Sequence, residues 1–466
     1  MKNHLLFFAL AALFICCTKI DSSHITFAGN IKNNSEELLK VTNYNSTLKQ
    51  EISIDSKGNF SDQVFIEKDG YYFFQVGRSY TTVRFKKGHD VFVNIDASDF
   101  YRSVSYSGDL KKENNYNVSK AQLRANRVGD PKEYFVVPLK EFLPKIEITR
   151  DTLFTILAKS GLGQKDIEIE KKIIEYEYLQ TYNNYQKFYN YHNKVDPVLP
   201  DDYYDPILIM DTDDDELFRH SRAYRNLIIE NFRLSSKREL QHDPSLTIID
   251  FVKDKISDIK SLDIREQFVS MLIRQIKEEN MNIDDDYKKI MSLLSTERMK
   301  EKLRQRYSSA KSTKAGLASV DFNYENFDGG MTSLEDLRGN LLYIDVWATW
   351  CGPCLIEMPA LIELIKEYAK KDVEFVSVSI DSKNDYDKWR KMVSEKNIGG
   401  IHLYDPEGLN SDFMKAFSVS LIPRFMMLDT EGKIITAKAP RPSSKEVRKF
   451  IDEYLEKPKV MKFTNS

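Results

Sequence analysis

Cys351 and Cys354 stand three positions apart in Trp350-Cys351-Gly352-Pro353-Cys354. Two thiols at this spacing lie within reach of one another, so a mixed disulfide formed at Cys351 can be attacked by Cys354. The stretch before them, Leu341 to Ala348, is apolar enough for a buried strand, and Pro353 to Lys370 reads as a helix. The pair is therefore expected at a strand-to-helix junction. There, unpaired backbone N–H groups and the positive end of the helix dipole stabilise a thiolate. Gly352 permits a tight entry, and Pro353 suits the first helical turn, where its missing N–H costs nothing. Zinc would need a second ligand pair, and no other Cys or His pair has metal spacing, so no metal is expected. A structural disulfide is the other use of such a pair, but this motif in this context points to redox chemistry.

The rest of the chain must position that pair. Its 466 residues correspond to about three domains. With 41% hydrophobic and 30% charged residues, sizeable cores are expected. Lys and Arg total 68 against 71 Asp and Glu, a net charge of −3, which argues against a broadly basic nucleic-acid-binding surface. Of the four cysteines, Cys16 and Cys17 end an apolar N-terminal run, so no pair remains for a disulfide framework.

That run, Leu5 to Cys17, follows Lys2 and His4. It is shorter than the ~20 residues that span a bilayer and fits the apolar region of a secretory signal peptide. Its Phe-Ile-Cys-Cys ending resembles a bacterial lipobox, which implies cleavage before Cys17 and acylation of that cysteine. Residues 1–16 are then a signal peptide and 17–23 a lipid-anchor tether. The expected location is the cell envelope, as a periplasm-facing lipoprotein, with simple secretion as the alternative.

Residues 24–115 alternate apolar and polar positions between turns such as Lys57-Gly58-Asn59 and Lys87-Gly88, which predicts a small antiparallel β-sandwich. Residues 116–309 turn helical. Ile173, Ile174, Tyr176, Leu179, Tyr182, Tyr185, Phe188 and Tyr189 recur at three- and four-residue steps, favouring core packing over a ligand groove. The acidic run Asp211 to Glu216 lacks the Gly and Glu of a calcium loop and reads as a helix start. A linker at 310–320 precedes alternating strands and helices over 321–458, a mixed sheet with helices on both faces; 459–466 is a tail. The whole is a multidomain chain: an all-β domain, a mainly α-helical region and a C-terminal α/β domain.

The residues around the cysteine pair resemble the thioredoxin superfamily, and the additional segments resemble its TlpA-like thiol-disulfide oxidoreductases, in which a β-domain often comes first. The resemblance implies a thioredoxin-like fold for the C-terminal domain. It also implies catalysis by Cys351 and Cys354 and no cofactor beyond their redox-active disulfide. Trp350 and Pro353 are implied to tune the pair. Asp345, six residues before Cys351, matches a buried acid that moves protons for the resolving thiol. Its apolar strand favours burial and a raised pKa, although the lysine that accompanies this acid in thioredoxins is absent from Val373 to Ile380. Glu357 matches a glutamate that tunes the cysteines. Leu421-Ile422-Pro423 resembles the cis-proline loop, in which Ile422 and Pro423 would bind substrate main chain. Peroxiredoxins share the layout but need a Pro-x-x-x-Thr-x-x-Cys loop, which Ile344 and Thr349 do not provide.

The expected function is reduction of protein disulfides by an exported, membrane-anchored enzyme. Its partners would be disulfide-bearing client proteins, an inner-membrane thiol electron donor and, through the anchor, the membrane. The alternatives are a binding or scaffold lipoprotein whose redox domain is incidental, or a disulfide isomerase or oxidase.

Overall fold

The computed structural model describes residues 23–44, 48–277 and 280–456; the expected signal peptide, Cys17 and its tether up to residue 22 lie outside them. Among the described residues, no helix is long and apolar enough to cross a membrane, and no cluster of His, Cys, Asp and Glu could hold a metal ion. The chain forms two compact units. Among the described residues, those up to 245 together with 259–264 make the first, and 246–258 together with those from 265 onward the second.

The first unit begins with eight strands: β1 (His24–Lys32), β2 (Leu38–Thr42), β3 (Lys49–Ser53), β4 (Asn59–Phe65), β5 (Gly70–Val76), β6 (Ser79–Phe85), β7 (Val91–Asp96) and β8 (Ser105–Gly108). A short helix, α1 (Phe100–Ser103), precedes β8. They form two four-stranded sheets, ordered β4-β1-β7-β8 and β3-β2-β5-β6. The period-two pattern buries alternate residues, such as Val91, Val93 and Ile95 of β7. Phe27 of β1 lies at the centre, with the rings of Phe60, Phe74 and Phe85 5.2–5.4 Å away. The expected all-antiparallel sandwich needs one correction, because β1 and β7 pair in parallel. The chain leaves the first sheet to build the second and re-enters it at β7 beside its own start, a return no hairpin makes. Gly29 makes that pairing feasible, since a Cβ there would lie 1.9 Å from the Val93 carbonyl oxygen.

Seven helices follow: α2 (Lys111–Val128), α3 (Pro131–Phe135), α4 (Leu139–Ala158), α5 (Gln164–Asn193), α6 (Asp205–Leu208), α7 (Asp215–His220) and α8 (Arg222–His242). The aromatic stripe of α5 is core: Tyr178, Tyr182, Tyr185, Phe188 and Tyr189 pack with Tyr134, Phe135, Phe142 and Tyr203. In the acidic run, Asp214 accepts from Leu217 N–H at the start of α7, and Asp213 accepts from Lys260 and Ser261 N–H. A buried network explains why these helices share a unit with the sheets. Glu170 of α5 accepts from Lys120 of α2 at 2.8 Å and from the Tyr71 hydroxyl of β5 at 2.8 Å.

The helices of residues 116–309 are thus divided between the units. The second contains α9 (Ile248–Lys255), most of α10 (Leu262–Leu272), α11 (Ile283–Leu293) and α12 (Glu297–Ser312). Its remaining helix-and-strand order is β9 (Asn323–Asn326), β10 (Met331–Ser333), β11 (Leu341–Trp347), α13 (Gly352–Tyr368), β12 (Val373–Ser379) and α14 (Tyr386–Lys396). Then come β13 (Ile401–Tyr404), α15 (Asp412–Ala416), β14 (Arg424–Leu428), β15 (Ile434–Thr436) and α16 (Val447–Leu455). The seven strands form one sheet, β10-β9-β13-β12-β11-β14-β15. α12 is tied in by Ser309, whose hydroxyl donates to the Ala416 carbonyl. The stretch expected as a linker is also structured. α12 runs to Ser312, and Gly316, Leu317 and Ser319 exchange backbone hydrogen bonds with Ile434 and Gly432. Its small polar residues read as linker because that pairing comes from more than a hundred positions away.

Candidate active site

β11 lies at the centre of the second unit's sheet, parallel to β12 and antiparallel to β14, and all seven of its residues are buried. Period-two alternation divides them. Leu342, Ile344 and Val346 join a core with Trp389 and Phe413, while Leu341 and Tyr343 join one with Leu361, Leu364 and Tyr368 of α13. Asp345 continues the Leu341–Tyr343 row and so faces α13.

Just past the end of β11, the Cys351 N–H donates to the Ala348 carbonyl at 3.0 Å, and α13 starts with Cys351 as its N-cap. The Cys354 N–H donates to Cys351 Sγ at 3.1 Å. Cys351 and Cys354 are joined in a disulfide, with Cα atoms 5.2 Å apart. A sulfur in the N-cap position accepts from an N–H that would otherwise lack a helical partner, and when reduced it meets the positive end of the helix dipole. Pro353 occupies the first turn, as expected. The two cysteines are about 95% buried, whereas Trp350 beside them is 54% exposed.

The Ile422–Pro423 peptide is cis. Arg424 pairs with Val346 and Phe425 with Asp345, so Pro423 lies level with Trp347, at the end of β11 from which the cysteine loop departs. Ile422 packs against the core cluster that includes both cysteines. Leu421, next to it, is 77% exposed.

Two buried carboxyl groups, Asp345 on β11 and Glu357 on α13, belong to the elements that carry the pair. Asp345 is buried, and its Oδ1 has no hydrogen-bond partner. Burial first, and the charge of Glu357 second, push its pKa up to about 8. Glu357, one turn beyond Cys354 on α13, is also buried. Its Oε2 accepts from the Ser443 N–H at 3.1 Å, and its Oε1 faces Arg441 Nη1 at 3.4 Å. The structure therefore brings Cys351, Cys354, Pro353, Ile422 and Pro423 to one end of the sheet, with Asp345 and Glu357 on the α13 side. On β12 the register partner of Asp345 is Ser377.

Comparison with known proteins agrees with this geometry. The Redoxin family model matches residues 314–451. Thioredoxin-like protein YneN of Bacillus subtilis is 32% identical over 138 residues, 29% of this chain and 78% of that one. The chain belongs to the thioredoxin-like thiol-disulfide oxidoreductases.

Among other members of this family, thiol-disulfide oxidoreductase ResA of Bacillus cereus is 25% identical over 156 residues, 32% of this chain and 82% of that protein. A solved thiol-disulfide oxidoreductase structure from Bacteroides vulgatus is 33% identical, covers 31% of this chain and 98% of its own, and has a TM-score of 0.28. The residues matched by the family model lie in the second unit, and the chain is a redox enzyme there.

One positioning residue of this oxidoreductase is not apparent from the motif. Asp381, just past β12 and 1% exposed, accepts from the Thr349 N–H at 3.0 Å, from the Thr349 hydroxyl at 2.7 Å and from the Ser379 hydroxyl at 2.8 Å. It fixes the loop that delivers Cys351. Its only signal in the sequence is a Ser-x-Asp ending a buried strand. Asp381→Ala leaves those donors buried and unpaired, with an expected loss of roughly 2–4 kcal/mol. All three tryptophans, Trp347, Trp350 and Trp389, lie in the second unit, so intrinsic fluorescence during urea unfolding reports this loss. A change below about 0.5 kcal/mol would remove Asp381 from this role.

Proposed function

We propose that this oxidoreductase is exported, anchored by acylated Cys17, and reduces disulfides of client proteins. The observation that carries the reading is the Cys351 sulfur at the N-cap of α13, accepting from the Cys354 N–H beside Pro423. In the reduced enzyme, the Cys351 thiolate attacks a client disulfide. One sulfur–sulfur bond forms, the client's own bond breaks, and one client thiolate leaves. In its ionised form, the minor one at neutral pH, Asp345 takes the proton of Cys354, and the Cys354 thiolate attacks Cys351 Sγ. The second client thiolate leaves, and the enzyme disulfide forms. The client gains two electrons and the enzyme loses two, to be restored by a thiol donor in the inner membrane. The client lies across Ile422 and Pro423, with Trp350 at its edge, and Pro353 and Glu357 tune the thiols.

The direction follows from what surrounds the first sulfur. Strong oxidants over-stabilise the first thiolate. Gly352 and Pro353 offer Cys351 no side-chain donor or charge, and Ile422 presents an apolar side chain. The midpoint potential is expected near the thioredoxin end, about −270 mV, rather than the −120 mV of strong oxidants. Equilibration in glutathione buffers followed by gel-shift alkylation measures it. A midpoint above about −160 mV would replace the reductase reading by an oxidase or isomerase.

A further inference from the structure

The segment between β15 and α16, Ala439-Pro440-Arg441-Pro442-Ser443, is not part of the redox motif, yet it forms a strap over the carboxyl pair. Its start is pinned by the Ala439 N–H, which donates to the Phe425 carbonyl at 2.9 Å. Phe425 is the register partner of Asp345. The Tyr343 hydroxyl then donates to the Pro440 carbonyl at 2.5 Å, and the Ser444 N–H closes a turn on the Arg441 carbonyl at 2.9 Å. Pro440 and Pro442 fix φ on either side of Arg441 and bias the residues before them toward extended backbone, so the strap has few alternative shapes. It delivers two donors, the Arg441 guanidinium and the Ser443 N–H, one to each oxygen of Glu357.

We propose that this strap places the negative charge of the pair on Glu357 and leaves the movable proton on Asp345, which makes Arg441 a positioning residue for proton transfer behind the cysteines. Two neighbouring buried carboxyls do not readily ionise together, and the proton stays on the one with fewer donors. Each Glu357 oxygen has a donor, whereas Asp345 Oδ1 has none. The elements packed around Asp345 bring Tyr343 on β11, Ser377 on β12, Phe425 on β14 and Glu357 on α13. None of these residues is a cation. Among the described residues, Glu357 is thus the carboxylate whose charge acts on Asp345, and its ionised form disfavours loss of the Asp345 proton. The Arg441 side chain is 57% exposed and that of Glu357 8%, so a cation at the surface partners a buried anion. Proton transfer for Cys354 rests on the proposed function; the charge placement does not.

The test has two arms, both on the full chain. In the oxidised protein, pH-difference infrared spectroscopy follows the carbonyl stretch of a buried protonated carboxylic acid. This band is expected to disappear as pH rises through about 8 and to be absent from Asp345→Asn. Glu357→Gln removes the neighbouring charge and should lower the midpoint by about one pH unit. Arg441→Met removes the cation, makes a second negative charge harder to hold, and should raise it by about half a unit, a threefold change in proton affinity after solvent screening. Arg441→Lys should restore the original midpoint. An unchanged midpoint in Arg441→Met, shifts of the same sign in Arg441→Met and Glu357→Gln, or failure of Arg441→Lys to restore it would overturn the proposal. The second arm is the pH profile of single-turnover reduction of a peptide disulfide, expected to move with the same signs. Infrared shifts as stated in a chain that reduces no disulfide would overturn the reductase reading and support the charge placement. Activity with an infrared band indifferent to Arg441 would overturn the charge placement alone.

Discussion

Cys351→Ser is expected to reduce the rate of dithiothreitol-driven insulin reduction roughly 10⁴-fold or more, to the level without enzyme. The substitution isolates chemistry from folding. Serine is among the best N-cap residues, so its hydroxyl can accept from the Cys354 N–H as Cys351 Sγ does now and the start of α13 persists. What disappears is a nucleophile that ionises near neutral pH, since a hydroxyl in the same place stays protonated. Cys354→Ser should behave differently. It retains the first exchange and accumulates a mixed disulfide at Cys351, visible by non-reducing electrophoresis, because nothing resolves it. Exchange above background in Cys351→Ser would place the reactive sulfur elsewhere and end the proposed mechanism.

The two cysteines were legible because their chemistry is local. The motif, the apolar strand before it and the periodic helix after it are contiguous, and each predicts the same junction. The C-terminal α/β fold was legible for the same reason, through strands and helices in alternation. Features that join distant parts of the chain were not. Asp381 acts on Thr349, 32 residues earlier, and Arg441 on Glu357, 84 residues earlier. Neither pairing leaves a periodicity or a spacing to read. The parallel return of β7 beside β1 is of the same kind. Local alternation identifies strands and the face each one buries, but not which neighbour a strand finds after a detour through a second sheet. The Lys120–Glu170–Tyr71 network also escaped notice, since in sequence Lys120 and Glu170 look like ordinary solvated charges. Asp345 lies between these cases. Its apolar strand foretold burial, but its lack of a partner on Oδ1 and the charge behind it depend on α13 and the strap.

Asp345→Asn is expected to stabilise the redox domain strongly at alkaline pH while slowing its chemistry. The sign follows from linkage. The carboxyl of Asp345 titrates from an ordinary value of 3.8 in the unfolded chain to about 8 in the folded one. A raised folded-state value means that the native state binds the proton more tightly, so this group favours folding most below the unfolded value. Its contribution is lost progressively as pH rises from about 4 to about 8 and is gone above that. A shift of this size corresponds to roughly 6 kcal/mol between the two plateaus as an order of magnitude, at 1.36 kcal/mol per unit. Asparagine has nearly the same shape and cannot ionise, so the variant should match the native protein near pH 4 and exceed it by about 4–6 kcal/mol at pH 9. Urea unfolding of the oxidised protein followed by tryptophan fluorescence reads the difference in the second unit alone. Stability curves that run parallel from pH 5 to pH 9 would show that Asp345 does not titrate in this range. The protein carries this destabilising carboxyl at the site where Cys354 must lose a proton. An isosteric neutral residue that raised stability and slowed resolution of the mixed disulfide would identify the cost of the buried acid with its use.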